Sequence, residues 1–238
     1  MEIFPVVHIG EDLKEATRQA HIAHELGAKG VYLIDHNDGA RNTRPLFEVV
    51  DAIKSEDESR YVGVNILGFS PEAAVRHISE EFSEAESLHF VPDSLWNDDM
   101  RQGRADPMQA MRLKSFRPEL ANLSIHGGIA FKYTRTFTED PERAAAEALE
   151  LKDTVDVVTT SGAGTGTPPS VEKIAAMKQA IGEQKLAVAS GISLDNIHRY
   201  QGILDQILVA SSVETYPGSG VFDKRELQDF IDAARELA

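Results

Sequence analysis

The run Val157-Val158-Thr159-Thr160 breaks into three glycines at alternate positions, Gly162, Gly164 and Gly166, and then into Pro168-Pro169-Ser170 at the head of an amphipathic stretch. Glycine lets successive backbone N–H groups turn toward an anion with no Cβ in the way. The spacing is not a dinucleotide fingerprint, and a flexible turn would show the same residues. Two later segments also end in small residues, Val188-Ala189-Ser190-Gly191 and Val209-Ala210-Ser211-Ser212. Ser211 and Ser212 offer hydroxyls as well as amides. Together, Gly162, Gly164, Gly166, Gly191, Ser211 and Ser212 are candidate ligands for a phosphate.

Groups able to move protons stand at comparable places. Asp35 and His36 close an apolar segment with a carboxylate and an imidazole; the carboxylate suits a general base or a metal ligand, and equally a turn or cap. Lys132 follows Gly127-Gly128-Ile129-Ala130-Phe131 and suits pairing with phosphate or carboxylate, nucleophilic attack if desolvated, or plain exposure at a loop entrance. In Val62-Gly63-Val64-Asn65-Ile66, alternation sends the three β-branched residues to one face and Gly63 and Asn65 to the other. Asn65 there could orient a substrate oxygen or serve as a satisfied core amide. His8 and His126 could shuttle protons or be hydrogen-bonded core residues. His21 and His24, three apart on a helical stretch, read as surface or subunit contacts. Trp96 suits stacking on a ring or plugging a subunit interface, so a homo-oligomer is compatible with the sequence.

These residues need a frame, and the chain provides an eightfold one. Strand candidates are Ile3–Ile9, Val31–Asp35, Tyr61–Leu67, Ser87–Val91, Leu123–Phe131, Val155–Thr160, Leu186–Ser190 and Gln206–Ala210. Between them stand helix starts at Ser70-Pro71, Asp106-Pro107, Asp140-Pro141 and Ser193, and a capping box at Asp223 and Glu226. Leu13, Ala16, Ala20 and Ala23, like Val171, Ile174, Ala175 and Met177, form one apolar stripe. The fold class read from this alternation is α/β, a single (β/α)8 TIM barrel over residues 1–238. Asp93–Ala105 and Glu214–Phe222 are the long irregular pieces, and they lie on the face where such barrels keep their chemistry.

Composition narrows the function classes. With 238 residues, 42% of them apolar, the chain can fill one barrel core, and with no cysteine it has no disulfide, thiolate metal site or thiol nucleophile. A net charge of −15 argues against a nucleic-acid partner or an anionic membrane surface. No apolar run has spanning length, and the first residues read as a strand instead of a leader, so the expected setting is cytoplasmic without membrane insertion. No cofactor is expected, and no metal, because the first strand carries no His-x-His.

Thr159-Thr160-Ser161-Gly162 through Pro169, Ala187–Ile192, Phe222-Asp223 and Gly127–Tyr133 resemble stretches of the BtpA/SgcQ family of TIM-barrel proteins. The resemblance covers about the last half of the chain. The proline-rich turn that those proteins tend to carry after the first strand is replaced here by His8-Ile9-Gly10-Glu11-Asp12. Membership would imply a barrel of the ribulose-phosphate-binding group, with relatives linked to photosystem I biogenesis or to sugar-related gene clusters.

The expected ligand is a small phosphorylated metabolite, derived from a sugar or a nucleotide. If the protein is an enzyme, acid–base chemistry is expected, as an isomerase, lyase or glycosyl transferase, with Asp35 and Lys132 leading and Asn65 and His8 assisting. The alternative is a non-catalytic assembly or regulatory factor that uses the barrel as a ligand-sensing scaffold.

Overall fold

A computed structural model describes residues 1–36, 42–84, 88–102 and 106–237. Its eight strands are β1 (Glu2–His8), β2 (Val31–Ile34), β3 (Val62–Asn65), β4 (Ser94–Asn97), β5 (Ser124–Gly128), β6 (Val157–Thr160), β7 (Lys185–Ala189) and β8 (Gln206–Val209). All neighbours pair in parallel in sequence order, and β1 returns to β8 with Phe4 opposite Leu208, so the sheet closes into a barrel. Closure leaves no free sheet edge.

The helices are α1 (Leu13–Glu25), α2 (Arg44–Glu56), α3 (Pro71–Glu84), α4 (Gln109–Ser115), α5 (Pro141–Leu151), α6 (Val171–Ile181) and α7 (Lys224–Glu236). Asp12, Asp140, Ser170 and Asp223 cap α1, α5, α6 and α7 by accepting first-turn amides. The capping box expected at Asp223 is one-sided, because the Asp223 N–H goes to the Val213 carbonyl. Asp106 accepts from the amide of Met108 in a turn just ahead of α4.

Two expectations fail in instructive ways. Ser193 opens no α-helix: its amide is taken by Asn196 Oδ1 and its carbonyl by the amides of Asn196 and Ile197. The tight turn leads only to a 3-10 turn at Ile197–Tyr200. Strand four lies at Ser94–Asn97 and not at Ser87–Val91. Ser87 lies outside the described residues, as do 103–105 of the expected irregular piece. His89 and Phe90 instead donate their amides to Asp51 in the middle of α2, which holds that stretch as a loop. Trp96, expected in a loop, is therefore a strand residue.

Period-two alternation divides the apolar residues into two cores. Val31, Leu33, Val62, Val64 and Ile66 pack outward with Ala16, Ala20 and Ala23 of α1 and Ile174 and Met177 of α6. Phe4, Val6, Tyr32, Ile34, Trp96, Phe131 and Leu208 fill the interior. His126 lies among the rings of Phe4 and Tyr32, and burial drives its pKa down to about 3, so it is a neutral core residue.

The end of the barrel where the strands begin carries one arrangement three times. Asp93, Asp156 and Asp205 stand immediately before β4, β6 and β8. Each carboxylate accepts the amide of a residue on the preceding strand, Val62, Ile125 or Leu186, at 2.7 to 2.8 Å. Each also binds a lysine from the helix before that strand: Lys54 at 2.8 Å, Lys114 at 3.0 Å and Lys178 at 2.8 Å. One carboxylate thus ties a strand pair to its helix.

Candidate active site

At the opposite end, strand ends and their loops enclose a cavity of about 650 Å³. That is ample for a small metabolite. Its floor is the top of the inner core, including Val6, Ile34, Trp96, Phe131, Ala189 and Leu208. Its wall on the β6–β8 side carries Thr165, Gly166, Ser190, Gly191, Ser211 and Ser212.

The candidate anion ligands take different roles here. Gly162 is buried, and a Cβ there would overlap the Thr167 carbonyl, so this glycine permits the loop to fold back on itself. Gly164 meets nothing closer than 3.7 Å. Gly166 is left-handed at φ +74° and donates its amide to Ser190 Oγ at 2.9 Å. Ser190 and Gly191 are both left-handed, at φ +88° and +83°. This is unfavourable for the serine and free for the glycine. A Cβ on Gly191 would strike the backbone of Thr167 and Pro168, so the β6 and β7 loops meet main chain to main chain. The amides of Gly191, Ser211 and Ser212 make no hydrogen bond among the described residues. Ser212 Oγ donates to the Ile192 carbonyl and joins the last two loops.

The proton-moving groups sort by strand parity. Tyr32 and Ile34 face the interior, so Asp35 comes on the opposite parity and is buried outside the cavity lining, whereas His36 lines it. His8 also lines the cavity, stacked on His36 with ring centres 5.1 Å apart. Burial lowers the His8 pKa, and the neighbouring His36 lowers it further, while Glu214 raises it. Lys132 lines the cavity as well, and burial pulls its ammonium below the usual range, opposed by Tyr133 and Asp98.

Asp98 is the carboxylate that the sequence reading missed. It lines the cavity and receives the Asn65 amide on Oδ1 at 3.1 Å. Burial pushes its pKa up to about 6, against the downward pull of the Asn65 hydrogen bond and of the Lys132 charge. Its main chain is seated on Gly128, where any Cβ would overlap the Asp98 carbonyl, and the next turn is fixed by the Met100 amide on the Gly128 carbonyl. The strand-end argument applied to Asp35 would have selected Asp98 had β4 been placed at Ser94–Asn97.

A second missed residue, Lys173, positions the loop that holds Lys132. It is fully buried at the start of α6 and donates to the carbonyls of Ala130 at 2.9 Å and Ser161 at 2.7 Å. Ser161 Oγ in turn accepts the Lys132 amide at 2.8 Å. Burial lowers the Lys173 pKa to about 8, and Glu139 at 3.7 Å opposes the shift. Tyr133, 78% exposed, accepts the Thr165 amide on its hydroxyl and so ties the β5 loop to the β6 loop across the mouth.

Asp98 near neutrality beside a desolvated lysine is an acid–base pair on an apolar floor. Among the described residues no cluster of three or more His, Asp or Glu is placed to hold a metal ion, and His21 and His24 lie on the outer helix α1.

The model of the BtpA family matches residues 42–236, most of the chain, from α2 through α7 with the last six strands of the barrel. The chain belongs to the BtpA family. No curated protein matches it. Among solved structures, this BtpA-family chain is similar to phosphoribosyl anthranilate isomerase from Thermococcus kodakaraensis, with a TM-score of 0.62, 17% identity and 98% of each chain covered. It is likewise similar to orotidine 5'-phosphate decarboxylase from Pyrococcus horikoshii OT3, with a TM-score of 0.60, 12% identity, and 97% and 99% covered. Mycobacterium tuberculosis tryptophan synthase gives a TM-score of 0.63 at 14% identity, with 98% of this chain and 92% of that one covered. At such identities the likeness is one of fold, and it places this BtpA-family chain among TIM barrels. Among the described residues no helix is long and apolar enough to cross a membrane.

Proposed function

We propose that this protein binds a small phosphorylated metabolite in the barrel-top cavity and transforms it by acid–base chemistry. The phosphate is held by the β6–β8 loops, and Asp98 and Lys132 act on the rest of the molecule. The observation that carries the reading is the meeting, in one cavity, of open amides at Gly191, Ser211 and Ser212 with a carboxyl and an amine both shifted toward neutrality. Two neighbours of the same fold are named for phosphorylated substrates, which supports a phosphate site in such a barrel. Isomerisation, aldol-type cleavage and glycosyl transfer are all within reach of one carboxylate and one amine.

Thermal shift with inorganic phosphate tests the binding step. Saturable stabilisation is expected, and Ser211→Asp, which places a negative charge beside the amides, should abolish it. An unchanged shift in that variant would overturn the assignment. For catalysis, Asp98→Asn should lower turnover of an identified phosphorylated substrate by on the order of a hundredfold or more. Stabilisation by such compounds with no turnover of any of them would favour a ligand-sensing scaffold.

A further inference from the structure

We infer that the ligand carries a flat, apolar ring, aryl or heteroaryl, on the side away from its phosphate, and is not a simple polyol phosphate. This rests on the anion site proposed above and adds the identity of the other half of the molecule. The floor that faces that half consists of Val6, Ile34, Trp96, Phe131, Ala189 and Leu208, all members of the inner apolar core. Leu67 adds a partly exposed apolar edge.

A sugar phosphate would turn its hydroxyls toward this floor. Each hydroxyl removed from water without a partner carries an uncompensated desolvation cost. Asp98 and Lys132 are the charged side chains of the lining, and Asp98 already holds the Asn65 amide. The His8 and His36 imidazoles and the small hydroxyl residues of the β6–β8 wall also line the cavity, but none of these groups belongs to the floor itself, so a chain of hydroxyls laid on it would find few partners. A ring reverses the balance, because it covers the apolar floor and presents a face to the aromatic edges. Trp96 and Phe131 meet edge to face with centres 6.1 Å apart, and both line the cavity. Burial of that ring next to Lys132, whose Nζ lies 5.9 Å from the Phe131 ring centre, also keeps the amine desolvated.

Trp96 is the sole tryptophan of the chain and lines the cavity, so its fluorescence reports directly on this floor. Titrations with inorganic phosphate, ribose 5-phosphate, phenyl phosphate and 2-phenylethyl phosphate separate the contributions; the last two set a ring at two distances from the anion. At least one aryl ester should bind tenfold or more tighter than ribose 5-phosphate, perturb Trp96, and be displaced by inorganic phosphate. Leu67→Asn should reduce that preference severalfold while leaving the affinity for inorganic phosphate unchanged. Ribose 5-phosphate binding as tightly as both aryl esters would overturn this inference and leave the anion site standing. Failure of inorganic phosphate to bind would overturn the anion site and this inference with it.

Discussion

The two ends of the barrel are built on opposite plans. Where the strands begin, one device is used three times over: a carboxylate just before an even-numbered strand holds the amide of the strand before it and the lysine of the helix that leads into that earlier strand. Where the strands end, no two loops are alike. The β4 end presents a carboxyl pushed up to about 6, the β5 end a desolvated lysine, and the β6–β8 ends a wall of small residues with open amides. The difference is one of satisfaction. Each clamp carboxylate at the first end has its lysine and its amide, so that end contributes rigidity; at the second, charged and polar groups are held short of full pairing, which costs stability and leaves them available to a ligand.

The sharpest way to break this contrast is Asp93→Ala. The Lys54 side chain is 7% exposed, and removal of its carboxylate leaves a buried ammonium and the Val62 amide without that partner. A loss of about 3–5 kcal/mol in urea unfolding is expected, with the affinity of the folded protein for inorganic phosphate unchanged. A weakened phosphate site at full stability would invert the roles assigned to the two ends.

Asp98→Asn should act in the opposite sense. The Asp98 pKa of about 6 lies above its ordinary value of 3.8. The folded chain therefore retains a proton that the unfolded chain has released between those values. Ionising Asp98 in place costs stability as pH rises from about 4 to about 6, and the full cost persists above that window. Asparagine removes the charge and keeps an oxygen for the Asn65 amide. The variant should be more stable than the parent by up to about 3 kcal/mol at pH 8 and equal to it at about pH 3, below the unfolded value. A destabilised variant at pH 8 would show that Asp98 is a structural partner and not a strained functional one.

The smallest effect belongs to the more open clamps. Asp156→Ala or Asp205→Ala frees a lysine that water can reach in part, with side-chain exposures of 15% for Lys114 and 22% for Lys178. Losses of about 1 kcal/mol each are expected from chemical denaturation. Losses as large as that of Asp93→Ala would mean that the three clamps are energetically alike whatever their exposure.

Legibility in the sequence followed the strength of the local pattern. The alternation at Val62–Ile66 separates outer from inner residues correctly, because β-branched residues take turns there with Gly63 and Asn65. Val31–Ile34 is apolar on both faces, so its parity cannot be read, and the structure gives the cavity-facing places to Ile34 and His36 and not to Asp35. Strand four defeats composition altogether. Its four residues stand between Asp93, which belongs to the clamp at one end, and Asp98, which belongs to the site at the other, so the strand reads as a polar loop. Ser87–Val91, with its apolar alternation, imitates a strand, but its described residues 88–91 form a loop pinned to Asp51 through His89 and Phe90.

What the sequence determined by itself is seven of the eight strands, the helix caps at Asp140 and Asp223 and the small-residue ends of β6, β7 and β8, because each depends on residues within a few positions of one another. The tertiary structure decided which carboxylate meets Lys132, why Gly162 and Gly191 must be glycine, and how a fully buried Lys173 holds the Lys132 loop. Those choices rest on closure of the sheet. Closure brings residues from different strands to one axis, and only there do parity, burial and main-chain contact set what each side chain can do.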